Sequence, residues 1–352
     1  MINKNFKFTG AILEKIKKNL KFNSIEYKNI PTGFVLVKIL YTSICRSQIM
    51  EIDGLRDNKK YLPHLLGHEG VGKIIAKDKK VKKFKIGDKV ILGWIKNNNK
   101  IYPKQEFFYS KNKKKINSGY VTTFSDYSLV CEDRIVKKPK LMKDIEATFY
   151  GCAVPTGAGM VINQLKPNKN QKILLIGLGA VGICALAALK SLRIKNVCIL
   201  EIDKKRLKIS KKLGYHNTFN PLKTKDLKKI KKLYPKGFDG CIESAGHNNS
   251  IELGFSLINP EKGKIIFASH PAKNTKIRID PHELIKGKKI IGSWGGGTLP
   301  KKDILKIFKL FKKNNINFYS FFKSRYNFYD INRAISDFKS GKSIRPLIKM
   351  TH

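Results

Sequence analysis

The sequence predicts an α/β protein of two domains, an irregular β-barrel-like part followed by a doubly wound parallel sheet. Three observations point there. A length of 352 residues is about two domains, and 41% hydrophobic residues are enough for real cores. The first third reads in short β-branched runs separated by turn residues. From about Lys172 onward, strand-like and helix-like segments alternate, the rhythm of a parallel sheet covered by helices.

In the first third, Phe34-Val-Leu-Val-Lys-Ile-Leu-Tyr41 reads as a strand, as do Val71 to Ala76 and Lys89 to Leu92, with Gly87-Asp88 as the turn before the last. Lys96 to Gly119 is Lys- and Asn-rich, carries Tyr102, Phe107, Phe108 and Tyr109, and has no clear period. It is expected to be a long loop or lobe. The second rhythm begins with a buried strand at Lys172 to Gly177 and a helix over Leu178 to Leu192. A strand at Asn196 to Glu201 and a helix over Lys204 to Leu213 follow, then strands at Asp239 to Glu243 and Gly263 to Ala268. Lys301 to Lys312 and Tyr329 to Ser340 are expected to be helical, and Ile344 to Met350 a closing strand.

Ile173 to Leu189 is 17 residues without a charge. A spanning helix needs about 20, and three glycines interrupt this stretch, so it reads as a buried strand followed by a helix. Met1-Ile2-Asn3-Lys4 has no apolar signal core. The six cysteines, at 45, 131, 152, 184, 198 and 241, form no C-x-x-C pair and no disulfide-scaffold pattern. A cytoplasmic protein without a membrane partner is expected. The net charge of +46 raises a polyanion-binding alternative, but only nine of the 72 basic residues are Arg, and the lysines are spread over the whole chain. Arg supplies the bidentate contacts that read phosphates and bases. The excess therefore reads as compositional drift, with weak salt-sensitive polyanion binding and no specific nucleic acid partner.

Gly177-Leu-Gly-Ala-Val-Gly182 is G-x-G-x-x-G. It follows a predicted strand and opens a predicted helix, the context in which the motif carries meaning. The glycines (Gly177, Gly179, Gly182) let the backbone approach a pyrophosphate, and the helix start offers unpaired N–H groups. Glu201 ends the next strand 19 residues later. An acid there accepts from a ribose diol and repels a 2′-phosphate, favouring NAD over NADP. Arg206, with Lys204 and Lys205, softens that preference, and Asp203 is a rival acid just past the strand end.

Cys45, His68 and Cys152 supply two thiolates and an imidazole, the donor set of a catalytic tetrahedral zinc with an open fourth position. They stand 23 and 84 positions apart, so spacing alone does not assemble them. Taken singly, each Cys is as well read as a small buried hydrophobe.

Together these residues resemble the zinc-dependent medium-chain alcohol dehydrogenases, nearest to the glutathione-dependent formaldehyde dehydrogenase branch. The likeness runs nearly end to end, through Pro31 to Ile39, Cys45-Arg-Ser47, Leu66-Gly-His-Glu-Gly70, Gly87-Asp-Lys-Val90, Thr122 to Tyr127, Gly151 to Gly157, Gly177 to Gly182 and Gly341 to Arg345. The resemblance implies a GroES-like β-barrel catalytic domain from residues 1–154 and 295–352, with a Rossmann NAD-binding domain, 155–294, inserted in it. It implies zinc on Cys45, His68 and Cys152, with Glu69 behind the metal. Ser47 would hydrogen-bond the alcohol and pass its proton on. Arg46 would contact the cofactor pyrophosphate, and Thr156 and Val181 would pack on the nicotinamide. It also implies a homodimer, with a tetramer as the larger alternative, built on the sheet edge of Ile277 to Ser293. The activity implied is alcohol to aldehyde or ketone interconversion by hydride transfer. Polyol or sugar oxidation and S-(hydroxymethyl)glutathione oxidation are the alternatives.

Three positions depart from the family pattern. Where relatives carry four closely spaced cysteines for a structural zinc, this chain has only Cys131, so one catalytic zinc and no structural one is expected. The Asp that usually follows Cys-Arg-Ser is Gln48, whose carbonyl can still accept an imidazole N–H. The His that usually ends the proton relay is Met50, which carries no proton, leaving water or His64.

Overall fold

The computed structural model describes residues 6–268 and 271–351. The chain divides into two compact units. One runs through Cys152 and takes in Leu299–Ile304 and Phe322 onward; the other is Ala153–Thr298 with Leu305–Phe321.

The first unit holds two sheets. Five strands close a small barrel in the order Phe6–Leu13, Lys21–Tyr27, Phe107–Tyr109, Lys115–Ser118, His64–Leu65. The second sheet runs Ile135–Lys137, Lys89–Gly93, Glu69–Lys77, Phe34–Ser43, Leu347–Lys349, Arg325–Asn327, and Tyr127–Cys131 also pairs with Phe34–Ser43. The long central strand Phe34–Ser43 forms because its aliphatic residues, mostly β-branched, are buried on both faces, Val35, Leu36, Val37 and Ile39 being fully inaccessible. Two apolar clusters result. One gathers Val37, Ile44, Ile49, Leu92, Phe124 and Ile348; the other fills the barrel with Phe8, Ile12, Ile25, Phe34, Phe107 and Ile116.

The barrel corrects one expectation. Lys96 to Gly119 is not simply a loop: it contains the antiparallel pair Phe107–Tyr109 and Lys115–Ser118. Its Phe107, Ile116 and Tyr102 are buried in the barrel core while its lysines stay outside. The period was hidden because each strand offers only one or two inward positions.

The second unit is a six-stranded sheet in the order Thr218–Phe219, Val197–Leu200, Ile173–Ile176, Gly240–Glu243, Lys264–Phe267, Lys289–Gly292, every pair parallel. Numbered along the chain that is 3-2-1-4-5-6, the dinucleotide-binding order. The 17-residue apolar stretch is indeed split, into the strand Ile173–Ile176 and the helix Ala180–Ser191. Among the described residues, no helix is long and apolar enough to cross a membrane.

Candidate active site

Cys45 follows the strand Phe34–Ser43 by two residues and sits at the N-cap of the helix Arg46–Ile52, in extended conformation. His68 lies in the turn between His64–Leu65 and Glu69–Lys77. Gly67 makes that turn: its φ is +102°, and a Cβ there would collide with the backbone of Thr123. Cys152 follows the short helical turn Phe149–Gly151, where Gly151 lets the chain pack directly on Leu92 and Glu69. Three separate crossings of one unit thus bring a thiol, an imidazole and a thiol together. The ligand atoms of Cys45, His68 and Cys152 all lie within 4.8 Å of one another, with the two sulfurs 3.9 Å apart.

The donor set fits a metal. His68 Nε2 is buried without a hydrogen-bond partner, a costly state unless something is to occupy it. Nδ1 faces Gln48 Nε2 at 3.1 Å and Ser47 Oγ at 3.4 Å. For Nε2 to be a lone-pair donor, Nδ1 must hold the proton, and the Gln48 amide must then turn over so that Oε1, otherwise buried without a partner, faces Nδ1 and accepts it. The thiols share a proton unequally. The hydrogen bond from Cys152 and the charges of Arg345 and His68 hold Cys45 low against burial, whereas that same bond and burial push Cys152 up. Burial alone would push His68 down, but the nearby Cys45 and Glu69 charges raise it.

Glu69 is fully buried and tied elsewhere. Its Oε1 accepts from Ser43 Oγ and from Arg345 Nη2, and Arg345 Nε donates to Ser43 Oγ at 3.1 Å. Burial nevertheless raises its pKa, against the pull of Arg345. Sequence reasoning missed Arg345 and Ser43 as partners of this acid. The available signal was the rarity of Arg in a Lys-rich chain. Ser47 is half-buried beside His68, Arg46 is exposed at the start of the helix, and Met50 is buried.

In the second unit the glycine turn has the form the motif requires. Gly177 has φ +87° and packs on Ala245; Gly179 opens onto free space where a Cβ would meet nothing within 4 Å; Gly182 rests on the Gly177 carbonyl. Gly179 is the N-cap of the helix Ala180–Ser191, whose first amides have no partner within the helix. Glu201 is buried at the end of its strand and accepts from Leu178 N at 2.5 Å and from Ile202 N and Asp203 N at 2.9 Å. It therefore braces the turn itself. Asp203 caps the next helix through Lys205 N at 2.7 Å and pairs with Arg206 at 3.4 Å. Thr156 Oγ1, on the helix Ala153–Gly159, is buried without a partner, and the neighbouring Gly157 lets that helix lie against Val181. Glu243 was not singled out from the sequence. Its Oε1 collects Ala245 N, Gly246 N and Ser250 Oγ, each at 2.8 Å, shaping the loop that faces Gly177.

Comparison with known proteins gives a consistent picture. The alcohol dehydrogenase GroES-like domain matches residues 31–140, and the zinc-binding dehydrogenase domain matches 180–313. "Alcohol dehydrogenase-like 2" of Arabidopsis thaliana is 25% identical, the match covering 97% of this chain and 96% of that protein. The class-3 alcohol dehydrogenase of Drosophila melanogaster is 24% identical over 97% of both. Among solved structures, benzyl alcohol dehydrogenase from Acinetobacter calcoaceticus superposes with a TM-score of 0.88 at 26% identity, covering 98% of this chain and all of that one.

Proposed function

This chain belongs to the zinc-dependent medium-chain alcohol dehydrogenases and is an oxidoreductase acting on alcohols, and we propose that it works with a single catalytic zinc on Cys45, His68 and Cys152 and with NAD. The observation that carries this is the buried, unpartnered His68 Nε2 among two thiols. When bound, zinc stabilises negative charge on the substrate oxygen and the nicotinamide takes the hydride. Gln48 and Ser47 hold the His68 ring by Nδ1, leaving Nε2 to the metal. Ser47 accepts the hydroxyl proton and hands on its own. Arg345 and Ser43 fix Glu69 behind the ligand cluster. Gly177, Gly179 and Gly182 cradle the pyrophosphate, and Thr156 and Val181 support the nicotinamide. Glu201 disfavours a 2′-phosphate, and Arg206, already paired with Asp203, offers it little.

The functional division is a catalytic part, 1–154 with 295–352, and a nucleotide part, 155–294. A homodimer is supported by Lys289–Gly292 standing at the sheet edge with Ile285 81% and Trp294 66% exposed beside it. Six free cysteines suit the reducing cytoplasm. The test is a panel of alcohols, polyols and S-(hydroxymethyl)glutathione with NAD and NADP, followed by NADH or NADPH absorbance. Primary or secondary alcohols with NAD should give the highest kcat/KM. Turnover only with NADP, or only with polyols, would overturn that part of the reading.

A further inference from the structure

Oxidation of an alcohol by hydride transfer frees one proton per turnover, and the ligand cluster gives it no final acceptor. Ser47 can only pass a proton on, and Met50 can hold none. The same helix carries a group that can. Ser47 and Glu51 are four residues apart on Arg46–Ile52, a spacing that sets both side chains on one face with Cβ atoms about 5–6 Å apart.

Glu51 Oε2 lies 3.8 Å from His64 Nδ1, the two side chains being 16% and 14% exposed. That nitrogen has no hydrogen-bond partner. The groups facing the pair are few. Arg56 Nη1 stands 3.3 Å from Glu51 Oε1, Asn58 donates to the Glu51 carbonyl, and His68 and Cys45 act from farther away. His64 is flanked across its strand by Leu13 and Asn117, neither of which titrates.

We propose that Glu51, backed by His64, receives through Ser47 the proton released when the alcohol is oxidised. This rests on the alcohol-oxidising function above. The substrate O–H bond breaks and its proton goes to Ser47 Oγ. Ser47 gives its own proton to the Glu51 carboxylate, the electron pair of the C–H bond leaves as hydride to NAD, and the neutral Glu51 returns the proton to solvent with His64 as its partner. Burial raises Glu51 against the opposing Arg56 and pushes His64 down to about 4. At neutral pH, His64 is therefore an uncharged imidazole beside an acid of increased proton affinity, and a base works best when its pKa approaches the working pH.

The experiment compares zinc-loaded wild type with Glu51→Gln, Glu51→Asp and His64→Gln. In alcohol oxidation, wild-type kcat falls as pH drops, because a protonated Glu51 accepts nothing. Glu51→Gln lowers kcat at pH 7 by about 100-fold, flattens that limb and leaves KM for the alcohol within about twofold. Glu51→Asp restores most of the loss, and His64→Gln displaces the limb. A second readout needs no turnover: the His64 ring resonances, assigned by their absence in His64→Gln, titrate at lower pH in Glu51→Gln than in wild type. Unchanged kcat and acid limb in Glu51→Gln, or a His64 titration indifferent to it, overturns the proposal while leaving the alcohol dehydrogenase function standing. A zinc-loaded wild type inert toward every alcohol overturns both.

Discussion

Around Cys45, His68 and Cys152 the first unit buries polar atoms and leaves some of them unsatisfied, His68 Nε2 and Gln48 Oε1 among them. Around Phe107 and Ile116 the same unit buries rings and branched aliphatics, and the one cysteine of that cluster, Cys131, lies inert in it. The first cluster makes chemical sense only with an occupant, because unsatisfied buried polar atoms are costly. The second is closed by apolar packing, and the polar atom it buries without a partner, the Tyr27 hydroxyl, belongs to no ligand set among the described residues. A hairpin that brings its own apolar side chains into a closed barrel has no need of a metal to hold it.

The largest effect should come from the ligand cluster. Cys45→Ser removes a thiolate donor and is expected to lower bound zinc well below wild type and turnover by more than about 100-fold, exceeding what outer-shell changes cost, while circular dichroism stays native. Phe107→Ala should do the reverse. It is expected to lose about 3–5 kcal/mol in denaturant titration with zinc per chain unchanged; a variant that lost zinc as well would break the separation of the two regions. Thiol labelling sharpens it further. Burial pushes Cys131 up to about 11, while the Cys152 hydrogen bond holds Cys45 low. In zinc-stripped protein at pH 8, Cys45 should therefore be alkylated at least about 100-fold faster than Cys131, read by peptide mass spectrometry, and zinc should protect it.

The smallest effect concerns a buried acid outside both regions. Burial raises Glu146, on Asp144–Thr148, from 4.5 to about 7, against the Lys143 amide and nearby lysines. A carboxyl raised on folding costs nothing below its unfolded pKa and destabilises increasingly as pH rises to the folded value. Wild type should lose about 1 kcal/mol between pH 5 and 8 after allowance for solvent screening, and Glu146→Gln should lose less. Equal slopes in thermal melts would show that Glu146 is solvated.

The two regions were unequally legible in the sequence. The nucleotide turn could be read locally because Gly177, Gly179, Gly182 and the following strand and acid lie within 25 residues. Cys45, His68 and Cys152 required the family resemblance, since no local period joins residues brought together by three chain crossings. The bond from Arg345 to Glu69 spans 276 positions; both ends lie in stretches that carry the family resemblance, but nothing in either stretch pairs them. The barrel hairpin was hidden because strands of three and four residues give alternation too little room, and their lysines masked the few inward rings. Glu201 was legible as an acid at a strand end, but not as the brace of the glycine turn, which depends on the Leu178 amide lying beside it.

The contrast between a cluster built to take an ion and a barrel packed on apolar side chains is tested most directly by counting zinc per chain, by elemental mass spectrometry, on protein purified without added metal. A value near one is expected, all of it lost in a Cys45→Ser, Cys152→Ser double variant and none in Phe107→Ala. A value near two would mean that the barrel lobe or another group holds a second ion. A value near zero that added zinc does not restore would contradict the ligand set itself.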